Sequence, residues 1–100
     1  MSRLMLTVVV AGCLAAGAAQ AAGDVAAGKA KAAACGGCHG ASGQGTQMAP
    51  KLAGMAPATF IQDMQAYKSG QRSNAMMKAA ASGLSDADIA NLAAYYASLK

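Results

Sequence analysis

Apolar positions recur at helical spacing in two segments of the chain. Phe60, Ile61, Met64 and Tyr67 form one stripe between Pro57 and Ser69. Pro57 suits a first turn, where its missing N–H has no intrahelical partner to lose, and Gly70 suits the stop just past the end. Ile89, Leu92, Tyr96 and Leu99 share one face of a last helix. Ser85 is placed to cap it, with Asp86 and Asp88 favourable in its first turn. An earlier helix is predicted from Val25 to about Ala34, capped by Asp24. Gly28 in its interior costs about 1 kcal/mol against Ala, which predicts a close helix crossing there. Gly40 to Gly54 reads as a loop of Gly, Ser and Gln, with Pro50, Lys51 and Leu52 inside it. Gln71 to Gly83 reads as loop and turn, with a helical turn at most over Met76 to Ala81. The pattern is all-α, and with no internal repeat it describes one unit.

The N-terminal pattern is different. Arg3 is followed by an uncharged apolar run from Leu4 to Ala19, and Ala19-Gln20-Ala21 is a small-x-small site. Residues 1–21 are therefore expected to be a signal peptide, cleaved to leave residues 22–100 as one domain in the periplasm. The run is short for a membrane anchor. Val10-Ala11-Gly12-Cys13 resembles a lipobox, and lipid attachment at Cys13 is the alternative to cleavage after Ala21. Leu14 is a poor follower for that signal.

Composition narrows the chemistry. The 100 residues include one Phe and no Trp. Past the export segment, few residues are β-branched or aromatic, which argues against strands. A domain this small, with few large apolar side chains, buries too little surface to be stable unaided and needs a staple. The net charge is +4, but the lysines form no run, so a nucleic-acid footprint is not indicated. The charge reads as a solvated surface or as a diffuse positive face that steers an acidic redox partner.

Cys35-Gly36-Gly37-Cys38-His39 supplies the staple. C-x-x-C-H is the attachment signature of c-type haem. Two thiols three residues apart on a helical turn can reach the two vinyl groups of one haem edge. The adjacent imidazole then faces the iron. Gly36 and Gly37 add no bulk at that edge. The competing readings fit less well. A structural zinc needs a fourth ligand that the mature chain lacks. A thioredoxin-like pair wants a βαβ context. A Cys35–Cys38 disulfide would close only a tiny loop.

His39 is the single His, so bis-His ligation within one chain is excluded. Met, Lys or an open position remain for the sixth site. Met64 has the spacing of a packing residue, while Met48 and Met55 lie in loops near the motif and are placed to line the haem. Met76 and Met77 come late enough to reach the far face, and spacing alone does not choose between them.

Taken together, these segments resemble the class I cytochromes c, and more closely the small bacterial cytochromes of the c-553 type and the halves of their diheme relatives. The matching stretches are Gly28 to Ala30 through Cys35 to Gly40, Pro50 to Gly54, Tyr67 to Asn74, Met76-Met77, and Leu84-Ser85-Asp86 through Ala94-Tyr95-Tyr96. The resemblance implies three main helices around one covalently bound haem c, with thioethers from Cys35 and Cys38. It implies His39 and Met77 as axial iron ligands, choosing Met77 by its seven-residue offset from the Leu-Ser pair. It further implies that Gly28 crosses the face carrying Leu92 and Tyr96. Pro50 would offer its carbonyl to His39, and Arg72 would approach a haem propionate. Ala32, Ala33 and Ala34 depart from relatives that carry an aromatic there.

The function implied is one-electron carriage by Fe(III)/Fe(II) cycling, with no enzymatic step. The partners expected are membrane or periplasmic redox proteins that dock transiently. A small-gas-binding or sensor haem protein, or a haem subunit of a larger dehydrogenase, are the alternatives. A peroxidase would need a distal acid–base group, and there is no second His.

Overall fold

The computed structural model describes residues 23–99. The predicted signal peptide lies outside them. Among the described residues there are five helices and no strand: α1 (Val25–Ala32), α2 (Gly36–His39), α3 (Pro57–Ser69), α4 (Ala75–Ser82) and α5 (Asp86–Ser98). No helix among them is long and apolar enough to cross a membrane.

Capping chemistry sets the bounds of these helices. The Asp24 side chain accepts from Ala27 N at the start of α1. Pro57 opens α3, and Gly70 closes it in the left-handed region at φ +83°, a conformation that glycine adopts without a Cβ penalty. Ser85 and Asp88 form a reciprocal capping box on α5. The last helix therefore begins where the sequence predicts. Two bounds differ. α1 stops at Ala32, and the chain turns before α2 begins. The predicted loop over residues 71–83 contains α4, a two-turn helix whose cap is Asn74, accepting from Met77 N at 3.0 Å.

The core is built around α5, which packs against α1 on one side and α3 on another. Ile89, Leu92 and Tyr96 are fully buried. Phe60 and Met64 of α3 complete this side, with the Phe60 and Tyr96 ring centroids 5.7 Å apart. The α1 crossing uses a neighbouring stripe. A Cβ on Gly28 would lie 2.0 Å from the Asn91 carbonyl oxygen and 2.8 Å from Tyr95 Cβ. Gly28 thus meets Asn91 and Tyr95, not the Leu92 and Tyr96 face. The rotation has a simple reason: Leu92 and Tyr96 are already committed to the interior. Asp24 N donates to Asn91 Oδ1 at 2.8 Å and Lys31 pairs with Asp88 at 3.6 Å, fixing the crossing at both ends.

The α3–α4 unit is tied to the start of α5 by polar contacts. Lys68 Nζ donates to the Leu84 carbonyl at 2.8 Å, and Gln65 Nε2 donates to Asp86 Oδ1 at 2.9 Å. These helices surround an interior space that few large side chains fill.

Candidate functional site

That space is a cavity of about 400 Å³, within the range of small-molecule and cofactor sites. One wall comes from the turn after α1. Cys35 N donates to the Ala32 carbonyl at 2.9 Å, and His39 N donates to the Cys35 carbonyl at 3.0 Å. This tight path brings Cys35, Cys38 and His39 to the same cavity. Both cysteines are half-buried and unbridged. No group of three or more His, Cys, Asp or Glu residues that could hold a metal ion is found among the described residues.

The loop between α2 and α3 holds His39. Gly45 N donates to the His39 carbonyl at 2.7 Å, and Thr46 Oγ1 donates to the Cys38 carbonyl. Leu52 N and Ala53 N both donate to the Gly43 carbonyl, at 2.8 and 2.9 Å. The folded loop sets the Pro50 carbonyl 2.7 Å from His39 Nδ1, as the resemblance implies. A carbonyl oxygen can only accept, so Nδ1 carries the proton and the lone pair stands on Nε2. Nε2 is buried and has no hydrogen-bond partner. Buried polar atoms are rarely left so. An imidazole fixed through Nδ1, with Nε2 free, is the arrangement of a metal-ligating His.

Five methionines line the cavity: Met48, Met55, Met64, Met76 and Met77. Met64 is buried in the core, as its spacing predicts. Met76 and Met48 are 69% and 72% exposed, whereas Met77 is half-buried and packs on the core. Asn74 capping through Met77 N fixes the turn that carries Met77.

Arg72 also lines the cavity, but its guanidinium is engaged by Asp63 at 3.1 Å and lies 4.8 Å from the Tyr67 ring centroid. Sequence reasoning missed Asp63 as its partner. It also missed Tyr96 as a neighbour of Cys35. Burial pushes the Cys35 thiol above its ordinary pKa, and a side-chain hydrogen bond with Tyr96 offsets part of that rise. The Tyr96 phenol is pushed well above its usual range, first by burial and then by Cys35.

A helical shell with two thiols and an unpaired imidazole nitrogen on one side of an apolar cavity, and soft thioethers around it, fits haem c. These features define a haem-binding protein of the c type. Residues 25–100 match the Cytochrome c family model, and the chain belongs to the cytochrome c family, whose members carry covalent haem and transfer electrons.

The chain is 48% identical over 85 residues to cytochrome c4 of Pseudomonas aeruginosa, covering 84% of this chain and 42% of that protein. It is 46% identical over 81 residues to cytochrome c-554(548) of Halomonas halodenitrificans, covering 77% of this chain and 98% of that one. The solved cytochrome c4 of Acidithiobacillus ferrooxidans superposes with a TM-score of 0.73 at 33% identity, covering 75% of this chain and 49% of that one. The chain thus spans less than half of the cytochromes c4 it matches, consistent with one half of a diheme protein, and nearly all of the shorter c-554(548).

Proposed function

We propose that this protein is a periplasmic carrier that holds one haem c and passes single electrons between redox proteins, without chemistry on a substrate. The observation that carries this reading is His39, with Nδ1 held by Pro50 and a buried, unpartnered Nε2 beside two cavity-lining thiols. Residues 1–21 would direct export and be removed, leaving residues 22–100.

Cys35 and Cys38 would hold the haem as thioethers, and His39 and Met77 would supply donor atoms to its iron. When bound, haem c supplies one-electron exchange at its iron. The chain's own residues set the conditions for that exchange. Pro50 keeps the His39 proton on Nδ1 and so presents Nε2 as the donor atom. Met77 is favoured over Met76 because it is half-buried against the core, while Met76 is largely in solvent. A thioether donor raises the reduction potential relative to a second imidazole. Phe60, Met64 and Leu52 give the cavity apolar walls, and an apolar surround is a second lever on the potential.

Docking of membrane or periplasmic redox partners would be weak and transient. With Arg3 removed, residues 22–100 carry seven Lys and Arg against four Asp, a net charge of +3 that favours acidic ones. The test is a reductive titration of the purified holoprotein followed by carbon monoxide. Reversible one-electron cycling and a ferrous spectrum unchanged by carbon monoxide are expected. A rapid shift on adding the gas would replace this reading with a ligand-binding or sensor role. Isolation only as a stable complex with a dehydrogenase would make the chain a subunit and not a free carrier.

A further inference from the structure

The short α2 leaves the carbonyls of its last turn without intrahelical partners. Ser42 N, which would reach the Cys38 carbonyl if the helix continued, donates instead to Gln44 Oε1 at 2.9 Å. The chain then doubles back, and two successive residues take up those carbonyls. Gly45 N donates to the His39 carbonyl, and the Thr46 hydroxyl donates to the Cys38 carbonyl.

Thr46 also closes the turn that follows. Its Oγ1 accepts from Met48 N at 3.1 Å, and its own N–H donates to the Ala49 carbonyl at 2.9 Å. The next residue is Pro50, whose carbonyl stands 2.7 Å from His39 Nδ1. Gly45 keeps the two arms of this turn in contact. It stands at φ +88°, and a Cβ there would come within 2.8 Å of Lys51 N, so conformation and space both reserve the position for glycine. Residues 45–51 are thus a closed turn, and the Thr46 side chain fastens it to α2. A hydroxyl has one proton to donate and lone pairs to accept with; here the proton goes to Cys38 and a lone pair to Met48 N. Thr46 is exposed and lies outside the cavity wall, so its contribution is this bridge and not core packing.

We propose that Thr46 is a positioning residue for His39: its hydroxyl, bridging the Cys38 carbonyl and Met48 N, holds the Pro50 carbonyl on Nδ1 and so sets the electron density that Nε2 presents. The proposal rests on the reading of His39 as a haem-iron ligand. A partner on Nδ1–H raises the basicity of the other ring nitrogen. A more basic donor favours the ferric state. Loosening the Nδ1 contact therefore raises the reduction potential, since hydrogen bonding around a haem is one of the levers on it.

The experiment compares the parent holoprotein with Thr46→Val, Thr46→Ser and Gln47→Ala, all matured in a host that attaches haem. Valine keeps the shape of the side chain and removes the hydroxyl, and serine restores the hydroxyl. Gln47 is an exposed neighbour that does not line the cavity. In Thr46→Val the reduction potential is expected to rise. The His39 Nδ1–H, followed by NMR in the ferrous protein, is expected to exchange with solvent about 2- to 10-fold faster, the loss that corresponds to one neutral hydrogen bond. Thr46→Ser and Gln47→Ala are expected to match the parent in both measurements. An unchanged potential or an unchanged exchange rate in Thr46→Val would overturn the proposal. So would a serine variant that behaves like the valine one, or a Gln47→Ala protein that shifts as far. Absence of covalent haem in the parent would be a different failure, that of the haem reading itself.

Discussion

Adding one methyl group to Gly28 tests the helix crossing that carries the Cys35 wall. Its Cβ would lie 2.0 Å from the Asn91 carbonyl oxygen, 2.6 Å from the carbonyl carbon and 2.8 Å from Tyr95 Cβ. Ordinary C···O contacts are about 3.3 Å or longer, so α1 and α5 must separate by about 1 Å. The blocking atoms are backbone and Cβ, which cannot rotate away. Overpacking costs about 1–3 kcal/mol, and this rigid site belongs near the upper figure. Alanine recovers about 1 kcal/mol of helix propensity, leaving a net loss of about 2 kcal/mol. For a domain of this size that is a fall in Tm of about 8–16 °C. The control is Gly37→Ala in α2, where nothing lies within 4 Å of the added carbon; it should be neutral or stabilising by up to about 1 kcal/mol. Thermal unfolding of both holoproteins, followed by far-UV circular dichroism, measures the difference. A Gly28→Ala protein that melts at or above the parent temperature would refute the steric argument, and equal losses in both variants would show a general intolerance of the motif region.

Further outcomes are expected from other sites. Met77→Ala should abolish the far-red sulfur-to-iron absorption band while Met76→Ala retains it; loss of the band in the Met76 variant alone would reverse the ligand assignment. Asp88 is held below its ordinary pKa, first by the backbone hydrogen bond from Ser85, with its side chain and Lys31 assisting. The folded state therefore binds fewer protons than the unfolded one, so this contribution is present above the unfolded pKa of about 3.9 and is lost as pH falls through the lower folded value. Denaturant midpoints between about pH 5 and pH 2.5 should fall more steeply for the parent than for Asp88→Asn, and parallel curves would contradict the linkage. The Arg72–Asp63 pair is partly solvent-exposed, 49% and 34% by side chain, so a double-mutant cycle should give a coupling below about 1 kcal/mol in folding stability.

The parts of this fold that were readable in the sequence are those where local chemistry and tertiary demand agree. α3 runs from Pro57 to Ser69 because proline and glycine mark its ends, and α5 follows Ser85 because its capping box is written in four consecutive residues. Only a turn of α4 was read, over Met76 to Ala81, because its eight residues are too few to repeat a stripe and its cap, Asn74, lies in a polar stretch that also reads as turn. The end of α1 escaped for the opposite reason: Ala32, Ala33 and Ala34 all favour helix, and the break serves the turn that aims Cys35. At the candidate site, the grouping of Cys35, Cys38 and His39 on one cavity was legible from spacing alone. Pro50 opposite His39 came only with the family resemblance, as did the expectation that Met77 and not Met76 is the ligand. Asp63 beneath Arg72 and Tyr96 behind Cys35 were not legible, because each contact joins side chains from different structural elements whose approach is decided by packing.

The proposed electron transfer depends on iron-porphyrin being bonded to Cys35 and Cys38 and gripped by His39. The most direct measurement is the intact mass of protein matured in a haem-attaching host, taken together with its pyridine haemochrome spectrum. The account predicts one added haem per chain and the spectrum of a haem joined through two thioethers. A mass equal to the bare polypeptide would contradict it.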